Sequence, residues 1–362
     1  MYPKLEINLK KLENNAREMV KMCEEYGVSI AGVIKGCGGI PRCAMAMEAG
    51  GCDYIASSRI EQLRKAQEFG VKVPLMLIRI PMISEAEKVI LHSEYSLNSE
   101  LEVIKSLEAE AEKQKKIHNI ILMSEIGDLR EGIWDEKEII DTALYVENQC
   151  PNLKLAGVGT NVGCYGSVMA TKEKLGELVV VAEKVEAAIG RELEIISGGA
   201  STSVPRIVEG DMPERVNHLR VGEAIVVGKD LPDLYGYELS QIFRDCFVFK
   251  AEIVELKRKP SHPIGEISYD AFRNKPTYED RGIRKRAIIA AGKVDFAYMD
   301  QITPRTKGVE ILGGASDHTI LDVEDSEIEL KVGDIIEFDI NYGALPLIAQ
   351  SPDVEWQFVS DR

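Results

Sequence analysis

No stretch of this sequence approaches the roughly 18 uninterrupted apolar residues that a membrane-spanning helix needs. The amino-terminal segment MYPKLEINLKKLENNA has neither an apolar h-region nor a small-residue cleavage site, so neither membrane spanning nor secretion is expected. Paired cysteines are lacking as well. Cys23, Cys37, Cys43, Cys52, Cys150, Cys164 and Cys246 form an odd set without a CxxC spacing, which reads as reduced thiols in a cytoplasmic protein. Basic residues are in deficit: 44 Lys and Arg against 60 Asp and Glu leave a net charge of −16. Such a field repels phosphate backbones and anionic bilayers, so neither nucleic acid nor membrane is expected as a partner. Histidine is scarce, with five in all. His92, His118, His218 and His262 have no partners at metal-ligand spacing and read as surface or helix-end residues, and no metal site is expected. Low-complexity tracts and internal repeats are also absent.

What is present is a chain of 362 residues, 45% hydrophobic and 29% charged, long enough for two domains or one large barrel with an appendage. From residue 29 to 228, β-rich runs alternate with segments of helical period. The runs are 30–35, 54–57, 73–78, 94–97, 119–124, 155–159, 194–197 and 216–220. Helices are expected at 41–48, 59–69, 84–91, 99–114, 136–148, 172–188 and 204–209, after a first helix at 9–25. Eight parallel strands with helical crossovers close most naturally into a (β/α)8 TIM barrel, here over residues 9–228. Beyond 228 the pattern becomes short strands (247–255, 285–292, 319–323, 335–342) separated by Gly, Pro and Asp turns. The fold class is therefore α/β, a barrel followed by an all-β domain. Residues 1–8, an orphan strand, are expected to join residues 229–362 in that second domain.

In a barrel of this kind chemistry collects at the carboxyl ends of the strands. The first run ends AGVIKGCGG, placing Lys35 against a glycine-rich turn after an apolar run. Partial desolvation there lowers a lysine's pKa and suits it to imine formation with an aldehyde or ketone; a barrel-rim salt bridge is the plainer alternative. After the seventh run comes SGGAST (197–202), and after the eighth RVGEA (220–224). Glycine-exposed amides and hydroxyls in these two loops form the usual phosphate cradle of the fold, although SGGAS also suits a simple loop and helix cap.

Taken together, VIKG at Lys35, GDLREGI, GTNVGCYG, SGGAS, LRVGEAI, SYDAF, GGASDHTILD and NYGAL resemble, in order and spacing, the alanine racemase-like enzymes of fold type III. The chain is most similar to their ornithine racemase branch. The resemblance implies pyridoxal 5'-phosphate as cofactor, held by Lys35 as an internal aldimine, with Arg220 at its pyridine nitrogen. A permanently protonated arginine there tempers the electron sink and favours simple proton exchange. The phosphate would rest on Ser201, Thr202 and the backbone of Gly222 and Glu223, with Tyr342 a further hydroxyl donor, and Arg130 would grip the substrate carboxylate through its bidentate fork. A head-to-tail homodimer with shared active sites is implied as well.

The departures from the alanine racemase pattern matter equally. The lysine that supports the counterpart of Arg130 is Met123 here, a tyrosine near the cofactor lysine is Gly39, and a histidine facing the cofactor is Asn161, so alanine becomes doubtful as substrate. The tyrosine that serves as second base matches Lys293. Other candidates for that base are Asp295, Ser316, Tyr269, Asp270, Asp317 and His318, with His318 and then Asp317 foremost because an imidazole has the most suitable unperturbed pKa. Asp128, Glu131, Glu223, Asp295 and Asp317 are candidates to receive the second amine of a diamino acid such as ornithine. A lysine, arginine or alanine racemase, a lyase or aldolase on the same scaffold, and a non-catalytic cofactor carrier remain as alternatives. The missing His/Cys ligand pair argues against the lyase, and the β domain against the carrier.

Overall fold

The computed structural model describes residues 1–359; residues 360–362, assigned above to the β domain, lie outside the described residues. The chain divides into two compact units, Leu9–Arg244 and Met1–Asn8 together with the chain from Asp245 onward.

The first unit is a closed barrel of eight parallel strands. They are β2 (Ser29–Val33), β3 (Tyr54–Ser57), β4 (Leu75–Leu77), β5 (Tyr95–Asn98), β6 (His118–Met123), β7 (Leu153–Gly159), β8 (Ile195–Ser197) and β9 (His218–Val221), and pairing of β2 with β9 closes the ring. Strand β1 (Lys4–Asn8) belongs to the second unit. Side chains alternate between the two faces of each strand, so one parity fills the barrel axis: Ala31 and Val33, Ala56, Met76, Leu97, Ile121 and Met123, Ala156 and Ile195 form a single buried cluster. The crossover helices have ordinary start and stop chemistry. Asp135 and Thr171 cap theirs by accepting the amides of Glu138 and Lys174, and left-handed Gly70 and Gly190 end theirs.

Strand β2 ends at Val33, two residues before the expected end, and the chain turns at once into a 3-10 turn, Ile34–Cys37. The cause lies in the next two residues: Gly38 and Gly39 have φ of 65° and 71°, and a Cβ on Gly39 would stand 2.3 Å from Gln62 Cγ. Only glycine fits there, so no tyrosine can occupy this position. His118 and His218 also differ from expectation. Both are fully buried on barrel strands, where their rings are held by Ser96 and Ser197 hydroxyls.

In the second unit the hydrogen-bonded order is β12–β15–β10–β11–β14–β13, made of β10 (Phe247–Pro260), β11 (Ile283–Ile289), β12 (Ile302–Pro304), β13 (Glu310–Gly314), β14 (Thr319–Asp322) and β15 (Ile335–Ile340). Strand β1 pairs antiparallel with β10 and parallel with β16 (Glu355–Val359). Phe249 packs against Phe296 and Phe338 at ring-centroid distances of 5.6 and 6.1 Å, giving this sheet a core of its own.

The break between units falls at residue 244 rather than at the expected 228. Buried Asn15, on the first helix (Leu9–Glu24), explains the difference. It donates to the carbonyls of Ile225 and Phe243 and accepts the Phe243 amide at 2.7 Å, which ties 229–244 to the barrel. Glu223 adds a second tie, since one carboxylate oxygen accepts the amides of Lys229 and Asp230 at 3.0 and 3.1 Å, while the other is buried without a partner.

Burial, reinforced by the charge of Asp230, pushes the Glu223 carboxyl up to about 7. The native state therefore holds a proton there that the unfolded chain releases near 4.5. Stability from this group is fully present below pH 4.5 and is lost as pH rises through about 7. Urea unfolding of the wild type should thus weaken across this window relative to Glu223→Gln, whose amide oxygen can still accept both N–H groups. Parallel curves for the two proteins would show that Glu223 does not titrate there.

Candidate active site

The carboxyl ends of five barrel strands bring most of the expected residues to one mouth. Lys35 lies in the turn after β2, Arg130 follows β6, Asn161 follows β7, Ser201 and Thr202 form a 3-10 turn after β8, and Arg220, Gly222 and Glu223 end and follow β9. Tyr342, Asp317 and His318 belong to the other unit.

Arg220 is the most deeply held. It is 4% exposed and takes part in no ion pair among the described residues. Its guanidinium donates to Ser197 Oγ, to the Thr160 carbonyl at 2.8 Å, and to Asn161 Oδ1 at 3.5 Å. Burial lowers it to about 10, which still leaves it charged at neutral pH. Ser197 Oγ also lies 2.7 Å from His218 Nδ1. The other ring nitrogen, Nε2, is buried with no hydrogen-bond partner among the described residues. Burial first, then the Arg220 charge, lower that histidine to about 3, so it is a neutral ring at the end of a chain running from Arg220 through Ser197 to His218. Sequence reasoning missed this chain, although a signal existed: His218 and Arg220 are two apart on one strand and therefore share a face.

Lys35 is held below the ordinary lysine range, chiefly by burial and then by the Arg130 charge; Cys164 opposes the shift, Arg220 adds to it, and Glu131 opposes it. Beside it opens a cavity of about 300 Å³ lined by Lys35, Ser58, Ile78, Arg79, Ile80, Arg130 and Glu131. Arg79 is engaged at each of its nitrogens, by the Ser58 and Ile80 carbonyls and by Glu85 at 2.6 Å. Arg130 donates through Nε and Nη2 to both oxygens of Glu131 and through Nη1 to Cys164 Sγ at 2.9 Å.

The expected phosphate cradle divides in two. Ser201 Oγ accepts the amides of Gly222 and Ala224, each at 3.2 Å, which leaves its own hydrogen to donate. The Thr202 hydroxyl hydrogen is instead committed to the Val162 carbonyl at 2.8 Å, so this side chain has only acceptor capacity left. Among the carboxylates considered for a second substrate amine, Asp128 is fully buried and accepts four amides from the loop after β7: Gly163, Cys164, Tyr165 and Val168. Burial raises it, but those amides outweigh burial and hold it below the usual range. Asp295 is likewise occupied, by the Gly292 amide and the Ser351 hydroxyl. Both carboxylates are thus engaged within the fold at each oxygen.

In the β unit the candidates for a second base gather. Lys293 opens the short helix Lys293–Phe296, and its amide and that of Val294 donate to the Ala315 and Ser316 carbonyls, both at 3.0 Å. The helix start and the 315–318 turn are thus one hydrogen-bonded piece. Asp317 and His318 are exposed on it, while Lys293 Nζ lies over the Phe272 ring at 3.8 Å and 4.0 Å from Asp270. Tyr269 is 71% exposed, and Asp270 accepts the amides of Phe272 and Asn274 in its own turn. Among the described residues there is no group of three or more His, Cys, Asp or Glu that could hold a metal ion, and no helix is long and apolar enough to cross a membrane.

Residues 7–230 match the family described as alanine racemase, N-terminal domain. An ornithine racemase from Acetoanaerobium sticklandii is 42% identical over 348 residues, covering 95% of this chain and 96% of that protein. A lysine racemase from Thermotoga maritima is 39% identical over 355 residues, covering 98% of each. An alanine racemase structure from Streptomyces lavendulae shares the fold, with a TM-score of 0.77 over 100% of this chain and 99% of that one at 16% identity. With a family match over most of its length and racemases similar across nearly all of it, the chain belongs to the alanine racemase family of amino acid racemases.

Proposed function

We propose that this protein interconverts L- and D-ornithine by moving the Cα proton between two faces, with pyridoxal 5'-phosphate as cofactor. The observation that carries the reading is the gathering of Lys35, Arg130 and Arg220 at one barrel mouth, where among the described residues Glu131 on Arg130 is the counter-charge in direct contact. In a chain of net charge −16 this is a local cationic pocket, suited to a ligand bearing phosphate and carboxylate. Substrate choice rests on the relatives, one named for ornithine and one for lysine.

The residues present fit the cofactor. Asn161 Nδ2 and Thr160 Oγ1 are buried beside Arg220 without a partner, as expected where a polar ligand completes the site. Lys35 would hold the cofactor through its depressed amine, Arg220 and Asn161 would face its ring, and the Ser201 hydroxyl with the backbone of Gly222 and Glu223 would hold the phosphate, joined by Thr202 once its hydroxyl turns from the Val162 carbonyl, with the Tyr342 hydroxyl as a further donor. When bound, pyridoxal phosphate acidifies the substrate Cα–H by delocalising the electron pair left behind. Arg130 would bind the substrate carboxylate. Lys35 Nζ would exchange the Cα proton on one face, burial lowering its pKa and so favouring the free amine that a base needs. A second group must serve the opposite face, since one base returning its proton to the same side regenerates the starting enantiomer. His318, with Asp317 and Lys293 behind it on the same piece of the β unit, is the proposed source. We further propose a cytoplasmic homodimer, in which the partner's β unit excludes water from the barrel mouth.

L-Ornithine should give both enantiomers, with solvent deuterium entering Cα and no ammonia, carbon dioxide or aldehyde released. Borohydride should fix the cofactor to the Lys35 peptide, and Lys35→Ala should abolish the reaction. A keto acid or aldehyde as main product would favour the lyase alternative. In His318→Ala, deuterium exchange from one enantiomer should survive while net inversion falls by roughly a hundredfold or more; unchanged inversion would move the assignment to Asp317 or Lys293, tested in the same way. Sedimentation should show a dimer, and a fully active 40.2 kDa monomer would contradict a shared site.

A further inference from the structure

Arg130 and Glu131 are neighbours in sequence, and adjacent side chains normally diverge. Here the loop is built to bring them together. Leu129 before the pair has φ of 57°, and Gly132 after it has φ of 137°. A Cβ on Gly132 would stand 2.6 Å from the Glu125 amide nitrogen, so only glycine closes the turn. The Glu125 carboxylate secures the loop from inside by accepting the amides of Gly127 and, at 3.1 Å, Arg130. The product of this folding is a side-on bidentate pair, Nε and Nη2 of Arg130 on the two oxygens of Glu131.

An exposed ion pair would be worth little, but Glu131 is largely covered, its side chain 18% exposed, and both partners line the cavity beside Lys35. A guanidinium has five N–H donors. Glu131 takes two and Cys164 Sγ takes one from Nη1. Two are left, one on each terminal nitrogen, which is the number a carboxylate needs to bind oxygen by oxygen.

We infer that Glu131 is a positioning residue that braces Arg130 from the side, so that the donors remaining on its terminal nitrogens meet the substrate carboxylate. The inference rests on Arg130 being the carboxylate ligand in the reading above. The brace also has an electrostatic consequence. Lys35 is faced by Arg130 and Arg220, which lower its pKa, and by Cys164 and Glu131, which oppose them. Loss of the Glu131 charge leaves the lysine facing two guanidinium groups with less compensation.

The test uses the cofactor-bound enzyme and the near-isosteric Glu131→Gln. KM for L-ornithine should rise about tenfold or more, the scale of a lost charge-assisted contact, with a smaller change in kcat. Binding of 1,4-diaminobutane, which has both amines and no carboxylate, should be unaltered. The pH midpoint of the bound cofactor's visible absorbance should move downward. Glu131→Asp, with the charge retained on a shorter stem, should keep that midpoint near the wild-type value and recover part of the KM. If Arg130→Ala raises KM while Glu131→Gln changes neither KM nor the midpoint, the positioning role is overturned and the carboxylate assignment stands. If Arg130→Ala leaves KM unchanged, the carboxylate assignment fails and the inference falls with it.

Discussion

The constraint on which the site depends is the burial of a guanidinium at the barrel mouth without a carboxylate in contact. An isolated charge taken out of water is costly unless every hydrogen finds an acceptor, and Arg220 is surrounded by neutral ones: Ser197 Oγ, the Thr160 carbonyl and Asn161 Oδ1. Those acceptors come from two neighbouring strand ends, β7 and β8, and the strands must approach closely to deliver them. Gly157 shows how closely, because a Cβ there would lie 1.9 Å from the Ile195 carbonyl oxygen. Any side chain at that position would push β7 off β8 and carry Thr160 and Asn161 away from the arginine. Backbone packing several residues deep in the barrel thus sets the polarity at its mouth.

A neutral acceptor set has a chemical effect of its own. Had a carboxylate paired with Arg220, it would have cancelled the positive potential that the mouth presents. With neutral acceptors instead, the guanidinium keeps its charge and the lysine opposite feels it. The long-range and short-range fields then act on different parts of a diamino acid. In the proposed reading, a chain of net charge −16 attracts the cationic molecule as a whole, while the cationic mouth would capture its carboxylate. The same separation suits a phosphate-bearing cofactor, which the global field disfavours and the local one would hold.

Much of this was legible in the sequence, and the parts that were not have physical reasons. Parallel strands buried on both faces write continuous apolar runs, so the eight barrel strands stand out, and Tyr54–Ser57 falls where the pattern puts it. In the second unit, β12 contains a proline and β13 ends in two glycines, compositions that read as turns although the sheet recruits both. The domain break was misplaced because Asn15 holds Phe243 across more than two hundred residues, a separation no local pattern reports. Lys35 and Arg220 were visible as polar residues ending apolar runs. The Arg130 environment was not, since Cys164 is 34 positions away and an adjacent glutamate pairs only when the backbone turns back on itself.

Asp128 shows how the two longest mouth loops are made to act together. Its carboxylate is fully buried and accepts four amides between Gly163 and Val168, so the loop after β6 is fastened to the loop after β7. A carboxylate used in this way does the work of a bound anion: it gathers amides that would otherwise need solvent, and it fixes the curvature of the loop that supplies them. The consequence reaches Arg130, two residues on, whose Nη1 contact is with Cys164 from that same fastened loop. The side-on brace from Glu131 and the contact from Cys164 therefore cannot drift independently, and the direction of the guanidinium is set by two loops locked through one buried acid. Such over-determination is what a carboxylate ligand requires, because bidentate recognition loses most of its advantage when the fork is free to rotate. It also explains why an acid so close to the site is unavailable to a substrate's second amine: all its capacity is spent on holding the loops that hold the arginine.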